Sequence, residues 1–148
     1  MRMSTKGRYS LRIMIELAEQ YGLGPVSVES LSAKLGISGK YIHVLVGGLK
    51  ASQLIASVRG PSGGYELLRE PSSITALDVI VAVEGRLAPV ECTCRDDVCV
   101  RTGRCVAREV WSNVATVIEN TLAGMSLDRL AVRQYHHNER SDDVVPGS

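Results

Sequence analysis

Glycine-containing turns divide the first third of the chain into three short helical segments, and this spacing constrains the fold more than any other feature. From about residue 4 to about residue 20, apolar residues recur at the spacing of an amphipathic helix, namely Leu11, Met14, Ile15 and Ala18. The Gly/Pro cluster at residues 21–25 ends this helix. Ser27 is placed to cap a second helix, and Gly36-Ile37-Ser38 is a tight turn into a third. Two helices joined by a short turn with glycine are the outline of a helix-turn-helix unit, which also occurs in proteins that do not bind DNA.

The third helix is expected to have two different faces, because its side chains advance by about 100° per residue. The inward face carries Tyr41, Ile42, Leu45 and Leu49, and the outward face carries Lys40, His43, Val44, Gly47 and Lys50. The outward face combines donors with small side chains, as a recognition helix in a major groove requires, although an ordinary solvated face is the alternative. Each of the two interior glycines of this helix, Gly47 and Gly48, lowers helix stability by roughly 1 kcal/mol relative to alanine. Their presence is explained either by the close approach of a partner or by simple tolerance. The candidate DNA-contacting residues on this helix are Lys40, Tyr41, His43, Val44 and Lys50.

Two strand-like runs around a turn-rich tip follow the third helix. The runs are residues 54–59 and 65–69, and the tip is residues 60–64. A β-hairpin in this place is a wing, and Arg59 at the base of its tip is positioned to enter a DNA minor groove. Arg59, Gly60 and Gly63 are therefore further candidate DNA-contacting residues. A phosphate-binding loop is a weaker interpretation, because neither a Lys-Ser/Thr pair nor a helix follows the glycines.

The charge is unevenly distributed along the 148 residues, which carry a net charge of +1. Residues 1–70 contain nine basic and five acidic side chains, a net charge of +4, and the remainder contains eight and eleven, a net charge of −3. A basic first half suits a polyanion such as double-stranded DNA, and a solvated face of mixed charge is the alternative. No apolar run approaches the ~20 residues of a membrane span, and the N-terminus lacks the apolar stretch of a signal peptide, so we expect no membrane association and a cytoplasmic location.

The second half of the chain begins with a predicted helix and ends with a long apolar stripe. Thr75-x-x-Asp78 resembles a capping box and opens a helix that stops at Gly85. After a loop, apolar residues recur at spacings of three and four, namely Val106, Val110, Trp111, Val114, Val117 and Ile118. Self-association through this stripe is the favoured interpretation, and packing on the chain's own core is the alternative. The residues after about 134 are predicted to form a polar, disordered tail in which His136 and His137 are solvated.

The four cysteines of the chain all lie in the intervening loop, in the order Cys92-x-Cys94-x4-Cys99-x5-Cys105. In a reducing compartment, such a cluster favours metal binding or redox chemistry over structural disulfides. Thiolates bind iron–sulfur clusters, and the nearby arginines favour thiolate formation. We therefore take all four cysteines as candidate ligands of a [2Fe–2S] or [4Fe–4S] cluster. Three alternatives are progressively weaker: thiol oxidation or persulfide formation without metal, zinc binding, and chemically inert cysteines. Zinc fits less well because zinc sites usually offer paired C-x2–4-C units.

The sequence resembles the Rrf-type winged-helix regulators of bacteria over roughly residues 1–130. The resemblance is carried by residues 1–9, Tyr41-Ile42, residues 57–67, Ile74-Thr75, Val83-Glu84-Gly85, the cysteine loop, and Trp111 six positions after Cys105. It implies a homodimeric transcription factor that places the third helix and the wing on DNA. It further implies that the long helix from about Val106 forms the dimer interface and that the loop of many members carries an iron–sulfur cluster, whereas other members are controlled by a protein partner.

The chain departs from the family pattern at the cluster ligands. Some members have three cysteines with five residues between neighbours and a His three positions after the last. Cys99 and Cys105 keep that spacing, but Thr93 lies at the first cysteine position, and Arg108 at the His position cannot ligate iron as a cation. A carboxylate of the first helix, used by other members, is also missing before Glu16. Either four cysteines form a complete set, or three bind together with a non-protein or partner-chain group. His43 replaces an acidic residue common in the family, so the operator sequence is expected to differ.

We expect a mainly α protein with a small β-hairpin wing, a winged helix-turn-helix with a long dimerisation helix. The predicted division is a DNA-binding domain at 1–70, a cysteine loop and dimerisation helices at 71–133, and the tail at 134–148. The predicted function is a homodimeric regulator that binds a pseudo-palindromic operator with an affinity set by an iron–sulfur cluster. The alternatives are a cluster-free regulator controlled by thiol oxidation or a regulatory protein partner, and a thiol or iron–sulfur redox protein. An enzyme is disfavoured, since neither a general base in a pocket, nor Cys-x-x-Cys, nor a nucleotide fingerprint is evident.

Overall fold

The computed structural model describes residues 3–101 and 103–142, which contain six α-helices and one β-hairpin. The elements, in chain order, are α1 (Thr5–Glu19), α2 (Val28–Leu35), α3 (Gly39–Ala51), β1 (Ile55–Val58), β2 (Gly64–Leu67), α4 (Ala76–Glu84), α5 (Val106–Ala123) and α6 (Leu127–Asp142). Short 3-10 turns cover Pro71–Ser73 and Glu91–Thr93. The predicted class, mainly α with a hairpin wing, is confirmed. No helix in these two described stretches is long and apolar enough to cross a membrane.

Hydroxyl side chains cap the helices where the sequence places them. The Ser27 and Ser38 hydroxyls accept hydrogen bonds from the backbone N–H groups of Ser30 at 3.1 Å and Tyr41 at 3.2 Å. Thr75 and Asp78 form the reciprocal capping box, with N–H···O distances of 2.8 and 3.2 Å. Each cap contributes about 1 kcal/mol because it satisfies backbone donors that have no partner within the helix.

One hydrophobic core contains side chains from α1, α2, α3, α4, the hairpin and α6. Its largest fully buried side chains include Ile13, Met14, Leu17, Leu31, Ile42, Leu45, Leu49, Ile55, Ile74, Val79 and Leu127. Because Val79 of α4 and Leu127 of α6 pack in the same cluster as α1, the core crosses the boundary predicted at residue 70. The apolar face of α4 and the first turns of α6 therefore complete the helix-turn-helix unit.

Glycine 48 allows α3 and α4 to approach each other closely. A Cβ atom on Gly48 would lie 3.3 Å from both the Ala82 carbonyl oxygen and the Val83 Cγ1 atom, whereas one on Gly47 would meet open space. Close helix packing thus explains one glycine of the pair. Nothing in the structure of the chain explains Gly47.

The hairpin is antiparallel, with Ile55 opposite Leu67 and Val58 opposite Gly64. A short bridge attaches it to the turn before α2, since the backbone N–H groups of Val26 and Tyr65 each donate to the other residue's carbonyl at 2.9 Å. A Cβ atom on Gly64 would lie 2.1 Å from the Val26 carbonyl oxygen, so this contact requires glycine. The wing is therefore fixed to the helical core on one side.

The prediction of a disordered tail from residue 134 is wrong for residues 134–142, which continue α6. The physical reason lies in the first turns of this helix, where Leu127 and Ala131 are buried. The segment before it is tied to the start of α4, because Ala76 N–H donates to the Met125 carbonyl at 2.8 Å and Leu127 N–H to the Ile74 carbonyl at 2.9 Å. An anchored helix extends at little further cost even through polar residues. Residues 143–148 of the predicted tail lie outside the described residues.

Candidate nucleic-acid interface and cysteine loop

The outward face of α3 is solvent-exposed, as predicted from its sequence. Its exposed residues are Lys40, His43, Val44, Gly47 and Lys50. The opposite face buries Ile42, Leu45, Val46 and Leu49 in the core. Val44 leaves 64% of its surface exposed, which is a large fraction for a valine on a helix that packs so closely. An apolar side chain among donors fits a major groove, where thymine presents a methyl group.

Tyr41, another candidate DNA contact, is half-buried at the edge of α3. Its ring lies edge-on to the ring of Tyr9 in α1, with 6.2 Å between ring centroids. The guanidinium of Arg12 lies over the Tyr9 ring at 5.3 Å. The Tyr41 ring therefore packs α3 against α1 and leaves only part of its surface for DNA.

A side-chain hydrogen bond connects α3 to the wing. The Nδ1 atom of His43 lies 2.9 Å from the hydroxyl oxygen of Tyr65 in β2. Tyr65 is 7% exposed, and burial raises the pKa of its phenol above the usual value, so the hydroxyl is protonated at neutral pH. This contact was not predicted, because nothing in the sequence indicates that residues 22 positions apart will meet.

The wing tip presents Arg59 and Gly60 to solvent, and its glycines have backbone roles. Gly60 has a φ of 109°, and its carbonyl accepts a hydrogen bond from Gly63 N–H at 3.0 Å. A Cβ atom on Gly63 would lie 2.2 Å from the Val58 carbonyl oxygen. These glycines close a tight tip that carries Arg59 at its base, and the predicted interface thus consists of an exposed helix face and an exposed arginine.

The four cysteines lie on the loop between α4 and α5, and all four are half-buried and outside any disulfide. Within residues 3–101 and 103–142, no three His, Cys, Asp or Glu side chains are gathered closely enough to hold a metal ion. The sulfur ligands are thus present in number and kind but are not assembled into one site. By the chemistry of the donor set they fit an iron–sulfur cluster, provided that the loop closes around it.

Arginines bind parts of this loop to each other and to α5. Arg108, in the first turn of α5, donates from Nε to the Cys92 carbonyl at 2.7 Å, and its guanidinium pairs with Asp96. Arg95 makes two hydrogen bonds to Asp97, at 2.7 and 3.2 Å. This pairing lowers the pKa of the Asp97 carboxyl, with the Arg95 hydrogen bond as the largest cause. The sequence suggested these arginines as cations beside thiols and missed their aspartate partners, each of which lies two positions from a cysteine.

Helix α5 has no buried residue, although it is 18 residues long. Its apolar stripe is exposed at Val106, Val110, Trp111, Val114 and Val117. The predicted alternative, in which this stripe packs on the chain's own core, is therefore wrong. A contiguous exposed apolar stripe on a long helix is the signature of a helix that packs against another molecule.

Comparison with known proteins identifies the family to which this architecture corresponds. The family model described as "Rrf2: Iron-dependent Transcriptional regulator" matches residues 3–133. The chain belongs to the Rrf2 family. It is 40% identical over 131 residues to the HTH-type transcriptional regulator CymR of Bacillus subtilis (strain 168), and the alignment covers 88% of this chain and 90% of the relative. It is 34% identical over 134 residues to the HTH-type transcriptional regulator IscR of Photorhabdus laumondii, covering 90% and 81%.

Solved structures agree with this assignment. The structure described as CymR, the global cysteine regulator of B. subtilis, superposes with a TM-score of 0.76 at 38% identity and covers 90% of this chain and 98% of that chain. The T. potens IscR structure gives a TM-score of 0.71 at 32% identity, covering 100% and 94%. The winged-helix fold is confirmed, and the Rrf2 chain described here is a transcriptional regulator rather than an enzyme.

Proposed function

We propose that this Rrf2 protein binds a pseudo-palindromic operator in double-stranded DNA, with α3 in the major groove and the wing beside it. The supporting observation is the exposed face of α3, where donors surround Val44 and all packing side chains point the other way. Arg59 on the wing extends this surface. The net charge of +4 on residues 1–70 supports binding through displaced phosphate counterions.

The DNA-binding form is a homodimer that packs through α5. Each protomer leaves the apolar stripe of this helix exposed, and two such stripes can bury each other around a twofold axis. Two recognition helices at a fixed separation bind two half-sites on one face of the duplex. The dimer therefore determines the half-site spacing of the operator.

Operator affinity depends on an iron–sulfur cluster held by Cys92, Cys94, Cys99 and Cys105. Four half-buried thiols on one loop support this proposal, and so does the iron dependence in the description of the family. When bound, the cluster supplies negative charge and a covalent constraint on the loop. Arg108 lies beside the loop as a cation and cannot serve as a ligand, so its role toward the cluster is to balance charge and to hold the Cys92 backbone.

A second candidate is control by the chemical state of the thiols, or by a protein partner, without a cluster. The similarity to CymR proteins favours it, since one is described as a cysteine regulator and another, from Staphylococcus aureus, as an oxidized form. The latter structure has a TM-score of 0.72 at 33% identity. Thr93 and Arg108, at family ligand positions, favour it as well.

Anaerobic purification followed by an absorption spectrum and by iron and sulfide analysis tests the first candidate against the second. A cluster gives visible absorption and stoichiometric iron and sulfide, and Cys99→Ser or Cys105→Ser abolishes both. If all four cysteines bind, Cys92→Ser and Cys94→Ser each lose or destabilise the cluster. If three bind, one of these two variants remains coloured. Thr93→Ser is the matched control, and a colourless wild-type protein without iron contradicts the cluster.

Operator binding is tested with a duplex obtained by selection from a random library. Affinity should fall steeply between low and moderate salt, and Arg59→Ala should weaken binding by about 1–3 kcal/mol. Lys40→Ala distinguishes a phosphate contact, which weakens all sequences alike, from a base contact, which relaxes one position. Equal affinity of the cluster-loaded protein, the cluster-free protein and the four cysteine variants would exclude the cysteines as the switch and favour a protein partner.

A further inference from the structure

The hydrogen bond between His43 and Tyr65 joins an exposed side chain of the DNA-binding face to a buried one. His43 lies on the outward face of α3, and its ring stands edge-on to that of Tyr65 with 6.3 Å between centroids and 72° between ring planes. Tyr65 is fixed by its burial and by its two backbone hydrogen bonds to Val26. The phenol therefore gives the Nδ1 atom of His43 a rigid hydrogen-bond partner. The Nε2 atom of this exposed ring remains for a ligand.

The direction of this hydrogen bond fixes which nitrogen of His43 carries the proton, because the imidazole and the phenol can each act as donor or acceptor. A neutral imidazole has one N–H donor and one acceptor nitrogen, and the hydrogen bond at one nitrogen selects the tautomer. The Tyr65 hydroxyl is protonated, and in the described parts of the chain His43 is the hydrogen-bond partner that the structure gives it. A phenol that donates to Nδ1 leaves the proton of the imidazole on Nε2.

We propose that Tyr65 is a positioning residue that presents His43 Nε2–H to the operator as a hydrogen-bond donor, and that His43 thereby selects guanine. This inference depends on the proposed operator binding. In the major groove, guanine presents two adjacent acceptors, N7 and O6, to an N–H donor. Adenine places its N7 acceptor beside an amino donor, thymine places its O4 acceptor beside a methyl group, and cytosine presents only an amino donor. The opposite tautomer, with Nε2 as an acceptor, would instead favour adenine or cytosine.

Operator selection with the full-length wild type, His43→Ala and Tyr65→Phe tests the proposal. One half-site position should prefer guanine in the wild type, lose that preference in His43→Ala, and show a reduced preference in Tyr65→Phe, which retains the buried ring. Tyr135→Phe, which removes an exposed phenol of α6, is the matched control and should select the wild-type operator. Thermal unfolding of each variant separates a loss of fold from a loss of base preference.

Base analogues then identify the atom that is contacted. Replacing the selected guanine by 7-deazaguanine removes the N7 acceptor, and replacing it by 2-aminopurine removes O6. One of these two replacements should lower the operator affinity of the wild type by about five- to a hundredfold and leave the affinity of His43→Ala unchanged.

Three outcomes overturn the proposal. The first is a His43→Ala protein that keeps every wild-type base preference, and the second is a His43-dependent preference for any base other than guanine. The third is a Tyr65→Phe protein whose preference at that position equals that of the wild type. A wild-type protein that selects no duplex at all would instead reject the proposed function itself, so the two failures are distinguishable.

Discussion

The winged-helix region and the cysteine loop with α5 differ in how much of their surface the chain itself covers. Every buried hydrophobic residue of the described structure lies between Ile13 and Val83 or in the first turns of α6. Between residues 84 and 126, the described part of the chain has none. The winged-helix region can therefore fold on the burial within one chain, whereas the second region requires burial from a partner or constraint from a ligand.

This difference separates a stable DNA-binding unit from a region whose order depends on conditions. Interactions formed only with a second subunit or a bound cluster stabilise the folded state by an amount that rises with the logarithm of the partner's concentration relative to its dissociation constant. Local structure with few buried contacts also opens most readily. The loop and α5 thus have the properties that a sensor needs, and the winged helix has those of a rigid reader of DNA.

Breaking the dimer is expected to have the largest effect on function. Val114→Asp places a charge in the exposed stripe of α5, where two helices are proposed to meet. We expect a monomer that keeps the helical content of the winged-helix region, because Val114 contributes nothing to the core of its own chain. Operator affinity should fall by about 10²- to 10⁴-fold, since two linked half-sites bind far more tightly than one.

Sedimentation and operator binding of the same preparations measure this effect. Thr116→Asp adds the same charge at an exposed position on the opposite side of α5 from Val110 and Val114, and it should leave both quantities near wild type. A dimeric Val114→Asp protein with full operator affinity would show that the stripe is not the interface.

Substitution in the winged-helix core should instead destabilise the monomer itself. Leu31 is completely buried in α2, and Leu31→Ala is expected to reduce the free energy of unfolding by about 2–5 kcal/mol. Urea unfolding measures the change. Val44→Ala, on the exposed face of α3, is the control and should alter unfolding by less than about 0.5 kcal/mol. Similar losses in both variants would contradict the distinction between the two faces of the helix-turn-helix.

The sequence predicted best those features that are encoded locally. Ser27, Ser38 and the Thr75–Asp78 pair act within three residues of their partners, so a short pattern is enough to place the helix starts. The two faces of α3 follow from helical periodicity alone. That periodicity also placed the residues proposed for DNA contact on the exposed face, although no pattern indicated that Tyr65 would hydrogen-bond to His43.

Features that depend on tertiary contact were missed or misjudged. Gly48 is explained by its approach to the Ala82 carbonyl, which no local pattern encodes. The polar composition of residues 134–142 concealed a helix whose order comes from the burial of Leu127 and Ala131. The arrangement of the cysteines was also beyond prediction, because the Arg108 bond to the Cys92 carbonyl joins residues 16 positions apart.

A smaller and local effect is expected at Arg108. Substitution of this residue compares local opening of the cysteine loop with global unfolding of the winged-helix core. Arg108→Ala removes a charged donor from the Cys92 carbonyl, an interaction of about 1.5–3 kcal/mol. We expect faster amide hydrogen exchange in residues 91–97 and unchanged urea unfolding, because this loop is not part of the core. Arg95→Ala, whose partner Asp97 is two residues away and 69% exposed, should change exchange much less. Loss of global stability in Arg108→Ala would show that the loop supports the core.

The smallest expected effect is a pH dependence that distinguishes two aspartates with the same direction of pKa shift. The Ser126 hydroxyl hydrogen bond lowers the pKa of Asp128, in the first turn of α6, and partial burial of the carboxylate opposes this more weakly. A carboxyl whose pKa is lower in the folded state contributes stability above its unfolded pKa, near pH 4, and loses it as pH falls through the folded pKa. Asp97 in the cysteine loop is also shifted downward, by Arg95.

Only Asp128 is attached to an element of the core, because α6 buries Leu127 next to it. The Asp97–Arg95 pair is local, and an unfolded chain can form it as well, so its contribution to global unfolding largely cancels. We therefore expect Asp128→Asn to reduce the slope of unfolding free energy against pH between about pH 5 and pH 3, and Asp97→Asn to leave that slope unchanged. Equal changes of slope in both variants would mean that the loop unfolds together with the winged helix, and the two regions would then be one cooperative unit.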